Sequence, residues 1–240
     1  RTQPFLYSIR CHINCNSTVF DIVSKISYGF AISMMVNCLI NGLMRLWARF
    51  VRNVYKDESY LTHTLPVTKQ EIFASKVIAA IVSTFTSMLV IIVCLFICYY
   101  SEANMETLKT LLELAATTYN TTVFKLLLLI MIVIFLEIVY VLLIGYVGII
   151  LGHKSNKNKM VKSIVLSFIL YFVFQGLTLG FIALYGLFNP EVMNLLNTTD
   201  IVNVDAIKSV MYVGIGIYVV YAIVFYVLGL VQLKKGVNVE

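Results

Sequence analysis

The residue whose type and position most suggest chemistry is Glu137. It sits near the middle of the apolar run 123–151, where a carboxylate at bilayer depth costs about 2.5–3.5 kcal/mol on insertion scales. Such a group must face protein or water. Ionised, it meets a cationic substrate, relays a proton or pairs across a subunit interface; kept neutral by apolar surroundings, it hydrogen-bonds to a neighbouring helix. Gln175 and Asn37 are further polar residues inside apolar runs, and interhelical hydrogen bonds worth about 0.5–2 kcal/mol account for both. Together, Glu137, Gln175 and Asn37 mark a possible substrate path. Cys11-His12-x-x-Cys15 offers metal ligands, but too few, and an incidental polar segment accounts for it. His12, His63 and His153 are scattered, none faces inward from a span, and Cys94 and Cys98, one turn apart, read as packing residues. The chain has no G-x-x-x-x-G-K-[ST] loop, no H-E-x-x-H and no G-x-S-x-G. It therefore presents no catalytic constellation, and no metal or cofactor is expected.

The elements that position these residues follow from composition. Of 240 residues 60% are hydrophobic and only 12% charged, with a mean hydropathy of +0.90, too apolar for a water-soluble domain. A spanning helix needs about 20 apolar residues, and five runs qualify: 26–44, 77–100, 123–151, 164–188 and 210–233. The expected fold is an all-α polytopic bundle forming one transmembrane domain over 1–240. Cys38, Cys94 and Cys98 fall inside apolar runs, so no disulfide framework is expected. The chain starts at Arg1 without a basic, apolar and small-residue leader.

The net charge of +6 reads as topology rather than as a nucleic-acid surface, because the basic residues cluster at span ends. One set of loops holds Arg45, Arg49, Arg52, Lys56, Lys69, Lys76, Lys154, Lys157, Lys159, Lys162, Lys234 and Lys235, twelve of the 18 Lys and Arg. Cytoplasmic loops retain such residues, which places the C-terminus inside and the chain in a cell membrane. Residue 1 then falls outside, as it would if a first span were missing. The sequons at Asn16, Asn120 and Asn197 fall on the outer side and are accounted for by chance. Both long outer loops carry helical spacing, with Leu108, Leu111, Leu112 and Ala115 in one and Val192, Leu195 and Leu196 in the other. Gly176 with Gly180, and Gly214 with Gly216, are expected to allow close helix approach.

The loop between the first two spans, about 45–76, is the most structured signal. Leu43, Leu46, Trp47, Phe50, Val51 and Val54 share one helical face, and Arg45, Arg49, Arg52 and Lys56 occupy the other. The first helix thus continues past the bilayer, with Trp47 suited to the headgroup boundary. A basic interfacial anchor is an equal reading of this face. Pro66 is expected to end one helix. Thr68 with Glu71 three residues later forms a capping box that starts the next helix near Lys69, with Val67 stapled on Ile72.

The run 49–76, with Asp57-Glu58-x-Tyr60-Leu61, Thr64-Leu65-Pro66-Val67-Thr68 and Ser75-Lys76, resembles the first cytoplasmic loop of type-two ABC exporter permeases of Gram-positive bacteria. Val139-Tyr140 through Gly152-His153-Lys154 to Lys162 resembles that family's second cytoplasmic turn, and Lys234-Lys235-Gly236 onward its C-terminal tail. The resemblance covers most of the chain from about Ile26, but the family's amphipathic lead-in helix and first span have no counterpart here. It implies a permease half that pairs with a second permease subunit and with separate ATP-binding subunits, and carries an amphipathic substrate such as an antimicrobial peptide, a drug or a lipid. It also implies coupling to the ATPase through Asp57, Glu58, Tyr60, Leu61, Leu65, Pro66, Val67 and Thr68, with His153 and Lys154 at the second turn. The alternatives are a membrane sensor or assembly subunit without transport, and an intramembrane enzyme pairing Glu137 with a histidine.

Overall fold

The computed structural model describes residues 3–56, 59, 64, 66–155, 157–190, 192–193 and 204–235. Among them six long helices and no strand occur: α1 (Gln3–Tyr55), α2 (Lys69–Tyr99), α3 (Glu102–Thr118), α4 (Val123–His153), α5 (Lys159–Phe188) and α6 (Val204–Lys234). Five segments are long and apolar enough to cross a membrane: Gly29–Tyr55 of α1, Lys69–Cys98 of α2, Val123–His153, Lys159–Phe188 and Ala206–Lys234 of α6. The chain is an all-α bundle with the architecture of a multi-pass membrane protein.

Local chemistry sets the helix ends. At the start of α2 the Thr68 hydroxyl accepts the Glu71 N–H at 3.3 Å while the Glu71 carboxylate accepts the Thr68 N–H at 2.7 Å, so the capping box is formed. At the end of α3, Asn120 takes a left-handed φ of 45°. Its N–H reaches the Thr117 carbonyl at 3.1 Å and the Thr121 N–H the Ala116 carbonyl at 2.9 Å, a Schellman closure that Asn tolerates.

α4 is the axis. It packs against each of the other five helices. From Val139 to His153 all but two of its residues, Val141 and Leu151, are buried, so neighbours surround it on every side. Its first half is different, with Phe124, Leu127, Leu128, Ile130, Ile132 and Ile134 exposed. The bundle is packed at the end bearing His153 and splayed at the end bearing Val123. At the packed end, Phe50 of α1 stacks on Tyr146 of α4 at 4.4 Å and meets Phe73 of α2 edge-on at 6.2 Å; Phe73 in turn lies 5.6 Å from Tyr226 of α6.

Several sequence expectations change. The first span, expected from about Ile26, lies in a helix that extends back to Gln3, a rod of about 80 Å at 1.5 Å per residue. It ends at Tyr55, where the chain turns and the Ser59 N–H returns to the Lys56 carbonyl at 2.7 Å; most of the residues on which the expected helix stop at Pro66 depends lie outside the described ones. Trp47 is a tie between helices: its indole N–H donates to the Leu142 carbonyl at 3.2 Å, over Gly145. A Cβ at Gly176, Gly180, Gly214 or Gly216 would meet nothing, so these are not contact glycines. The close approaches are at Gly145 against Trp47, Gly148 against Ser167, Gly152 against Ser163 and Gly229 against Phe73, where a Cβ has no room. Cys38, Cys94 and Cys98 are free and exposed, so the last two do not pack inside this chain. In α3 the inward residues are Leu112, Ala115 and Ala116, whereas Leu108 and Leu111 point outward.

Candidate functional site

Two polar zones stand out. The first lies at the packed end, where the ends of α1, α4 and α6 and the start of α5 meet. α1 delivers Tyr55, whose ring stacks on His153 of α4 at 4.2 Å. The His153 ring is 1% exposed, which corrects the expectation that no histidine faces inward. Its Nδ1 lies 2.9 Å from the Ile149 carbonyl and 3.2 Å from the Ser163 hydroxyl. With Nδ1–H donating to Ile149, the Ser163 hydroxyl gives its proton to the Lys159 carbonyl at 2.8 Å. Gly152 permits this by letting Ser163 approach the α4 backbone. One residue on, the Lys154 ammonium donates to Gln232 of α6 at 2.6 Å, and Lys162 donates to Ser155 across the turn. The ends of α1, α4 and α6 and the start of α5 are thereby fastened together.

Of the residues assigned to coupling, Asp57, Glu58, Tyr60, Leu61 and Leu65 lie outside the described residues. Pro66, Val67 and Thr68 are exposed just ahead of α2, on the basic end. Val67 is 45% exposed and Ile72 buried. His12 and His63 have no described side chains.

The second zone lies where the packed half of the bundle gives way to the splayed half. Tyr140 of α4 is 0% exposed and is ringed by Tyr218 at 5.5 Å, Tyr221 at 5.6 Å and Tyr171 at 6.3 Å. Phe174 and Phe225, 4.6 Å apart, close the floor. The Thr178 hydroxyl donates to the Phe174 carbonyl at 2.9 Å, and the Tyr221 hydroxyl to the same carbonyl at 3.4 Å. Two buried polar atoms of this zone have no hydrogen-bond partner among the described residues: the Tyr140 hydroxyl and Gln175 Oε1. An orphaned polar group of this kind costs about 1–3 kcal/mol.

Glu137 and Gln175 both border this cluster, since each interacts with Tyr218 and Glu137 also with Tyr140. Glu137 itself is exposed on the bundle's outer face. The physical reason is its place in α4, half a turn before the buried stretch begins at Val139. Asn37 is not drawn in; it is exposed on α1, where its carbonyl accepts the Asn41 amide at 2.9 Å. Nor does Glu137 meet His153, which lies sixteen residues further along one straight helix, about 24 Å away. Sequence reasoning missed the tyrosines, although Tyr218 and Tyr221 at i and i+3 on a span, with Tyr171 and Gln175 at i and i+4 on another, are a legible stripe. Among the described residues no group of three or more His, Cys, Asp and Glu is placed to hold a metal ion. Compared with protein families, curated proteins and solved structures, the chain matches none.

Proposed function

We propose that this chain is the membrane-spanning permease subunit of an ATP-driven exporter in the cell membrane, resembling the type-two ABC exporter permeases. In this reading its basic end and C-terminus are cytoplasmic, it pairs with a second permease subunit and with separate ATP-binding subunits, and it performs no covalent chemistry. The observation that supports it most is the fastening of the basic end. Tyr55 on His153 and Lys154 on Gln232 make α1, α4 and α6 one mechanical unit, and the exposed Pro66-Val67-Thr68 segment stands beside the capped start of α2. A push on that segment enters a stiff unit rather than a slack loop, which is what alternating access requires. The splayed apolar half is then the part that opens and closes around an amphipathic cargo such as a peptide, a drug or a lipid. Glu137 and the tyrosine ring would meet its polar part, and the partner permease would cover the exposed face that carries Glu137.

The test is co-purification with a co-expressed ATP-binding subunit from the same source. The native chain is expected to hold the subunit and stimulate its ATPase activity, while a Leu65→Asp, Pro66→Gly variant that still inserts loses both. If the native chain binds no ATPase, the exporter reading fails.

A further inference from the structure

Glu137 stands near the middle of α4, at the depth where a bare carboxylate is most costly. Among the described residues it has no ion pair. Its own neighbourhood holds no means of making one, because no Lys or Arg occurs in 126–152, 163–188 or 209–233, the inner lengths of α4, α5 and α6. A positive charge that neutralises Glu137 therefore comes from outside these three helices.

α5 and α6 each run along α4 but meet one another only slightly, and a seam lies between them. At its mouth are Glu137, exposed, and Tyr171, Gln175 and Tyr218, half-buried; Tyr140, fully buried, is its floor. The Gln175 amide hydrogen-bonds the Tyr218 hydroxyl, and the charge of Glu137 reaches the hydroxyls of both Tyr140 and Tyr218. Three groups are left wanting a donor: the Glu137 carboxylate, Gln175 Oε1 and the Tyr140 hydroxyl. The last two are buried with no hydrogen-bond partner among the described residues. An ammonium group carries three N–H donors and no acceptor, the complement of that set, and the negative face of a tyrosine ring attracts a cation within about 6 Å. From Glu137 an apolar track continues on the same face of α4 through Ile134, Ile130 and Leu127, all exposed. The helix between positions 127 and 137 is about 15 Å long, the reach of a dodecyl chain.

We infer that the seam binds the primary ammonium group of an amphipathic cation, held by Glu137, Gln175 Oε1 and the Tyr140 hydroxyl among the tyrosine rings, with its apolar chain laid along Ile134, Ile130 and Leu127. Gln175 turns its Oε1 to the mouth by a change of side-chain rotamer. A neutral or anionic amphiphile of the same length finds the same track but leaves the carboxylate uncompensated, so positive charge is what the site selects. As a statement about cargo this rests on the exporter reading; the binding step itself needs no ATPase.

The test uses the purified full chain in dodecyl maltoside with a dodecylammonium probe that carries a diazirine in its chain, the photocrosslinks being mapped by mass spectrometry. Labelling is expected to concentrate within 127–140, 171–178 and 214–221. Unlabelled dodecylammonium is expected to displace the probe about tenfold better than its neutral counterpart N-dodecylacetamide. Glu137→Gln lowers probe affinity by about tenfold or more, because a hydrogen bond to a charged partner is lost, and Tyr140→Phe lowers it by about fivefold. Glu113→Gln, on the exposed side of α3, leaves it within about twofold. Equal displacement by the neutral amide, or undiminished labelling of Glu137→Gln, would show an apolar surface without charge selection and overturn the proposal. Should Glu137→Gln fail to elute as a single species, the displacement series on the unsubstituted chain decides. A chain that selects the ammonium yet holds no ATP-binding subunit keeps this site and loses the exporter reading; one that stimulates the ATPase but labels without charge preference does the reverse.

Discussion

The orphaned hydroxyl of Tyr140 separates a structural from a functional reading of the tyrosine ring. If the ring is only packing, Tyr140→Phe removes a buried polar atom that has no partner among the described residues and leaves stability unchanged or raised by up to about 1 kcal/mol. Thermal unfolding in detergent measures this. If the hydroxyl contacts cargo, the same variant keeps its stability and loses transport or cargo-stimulated ATPase activity, and that pairing is the expected result. Single residues were legible in the sequence where their partners were near in the chain. Thr68 and Glu71 are three apart, and the capping box could be seen from spacing. Tyr55 and His153 could not, because their stacking depends on the register between two helices far apart in sequence. Glu137 was found through its cost in lipid, but its outward direction depends on where α4 enters the packed core.

Among the helices, the contact between α4 and α5 is the one set most tightly, and glycine sets it. Gly148 and Gly152 admit Ser167 and Ser163 with no room for a Cβ. Gly148→Leu is therefore expected to destabilise the bundle by more than about 3 kcal/mol through overpacking, whereas Gly176→Leu, which faces open space, shifts unfolding by less than about 0.5 kcal/mol. Fluorescence-detected gel filtration after heating distinguishes the two, and equal melting would remove the glycine seam as the basis of the contact. The spans themselves were readable because bilayer thickness imposes length and apolarity on any crossing segment. Which glycines matter was not, since a small residue on a span looks alike whether it meets a helix or lipid. The end of α1 was not readable for a related reason: it comes at Tyr55, whose ring is seated on His153, a residue far along the chain.

For the whole molecule, the asymmetric charge makes an orientation testable. With twelve of the 18 Lys and Arg on one set of loops, the positive-inside bias puts Lys157 in the cytoplasm and Lys109 outside. In a background free of other cysteines, Lys109→Cys is expected to react with a membrane-impermeant maleimide on intact cells, and Lys157→Cys only after permeabilisation. The reverse pattern would turn the basic end outward and leave a cytosolic ATPase no docking surface. The contrast between the packed and splayed halves of α4 also bears on how such a protein changes over generations. Where α4 has neighbours on all sides, after Val139, nearly every substitution disturbs several helices at once. Before Val139 the exposed side chains touch little else in the chain, so they are free to vary in size and polarity. One end of the molecule is therefore constrained by its own packing, while the other tolerates change in its side chains.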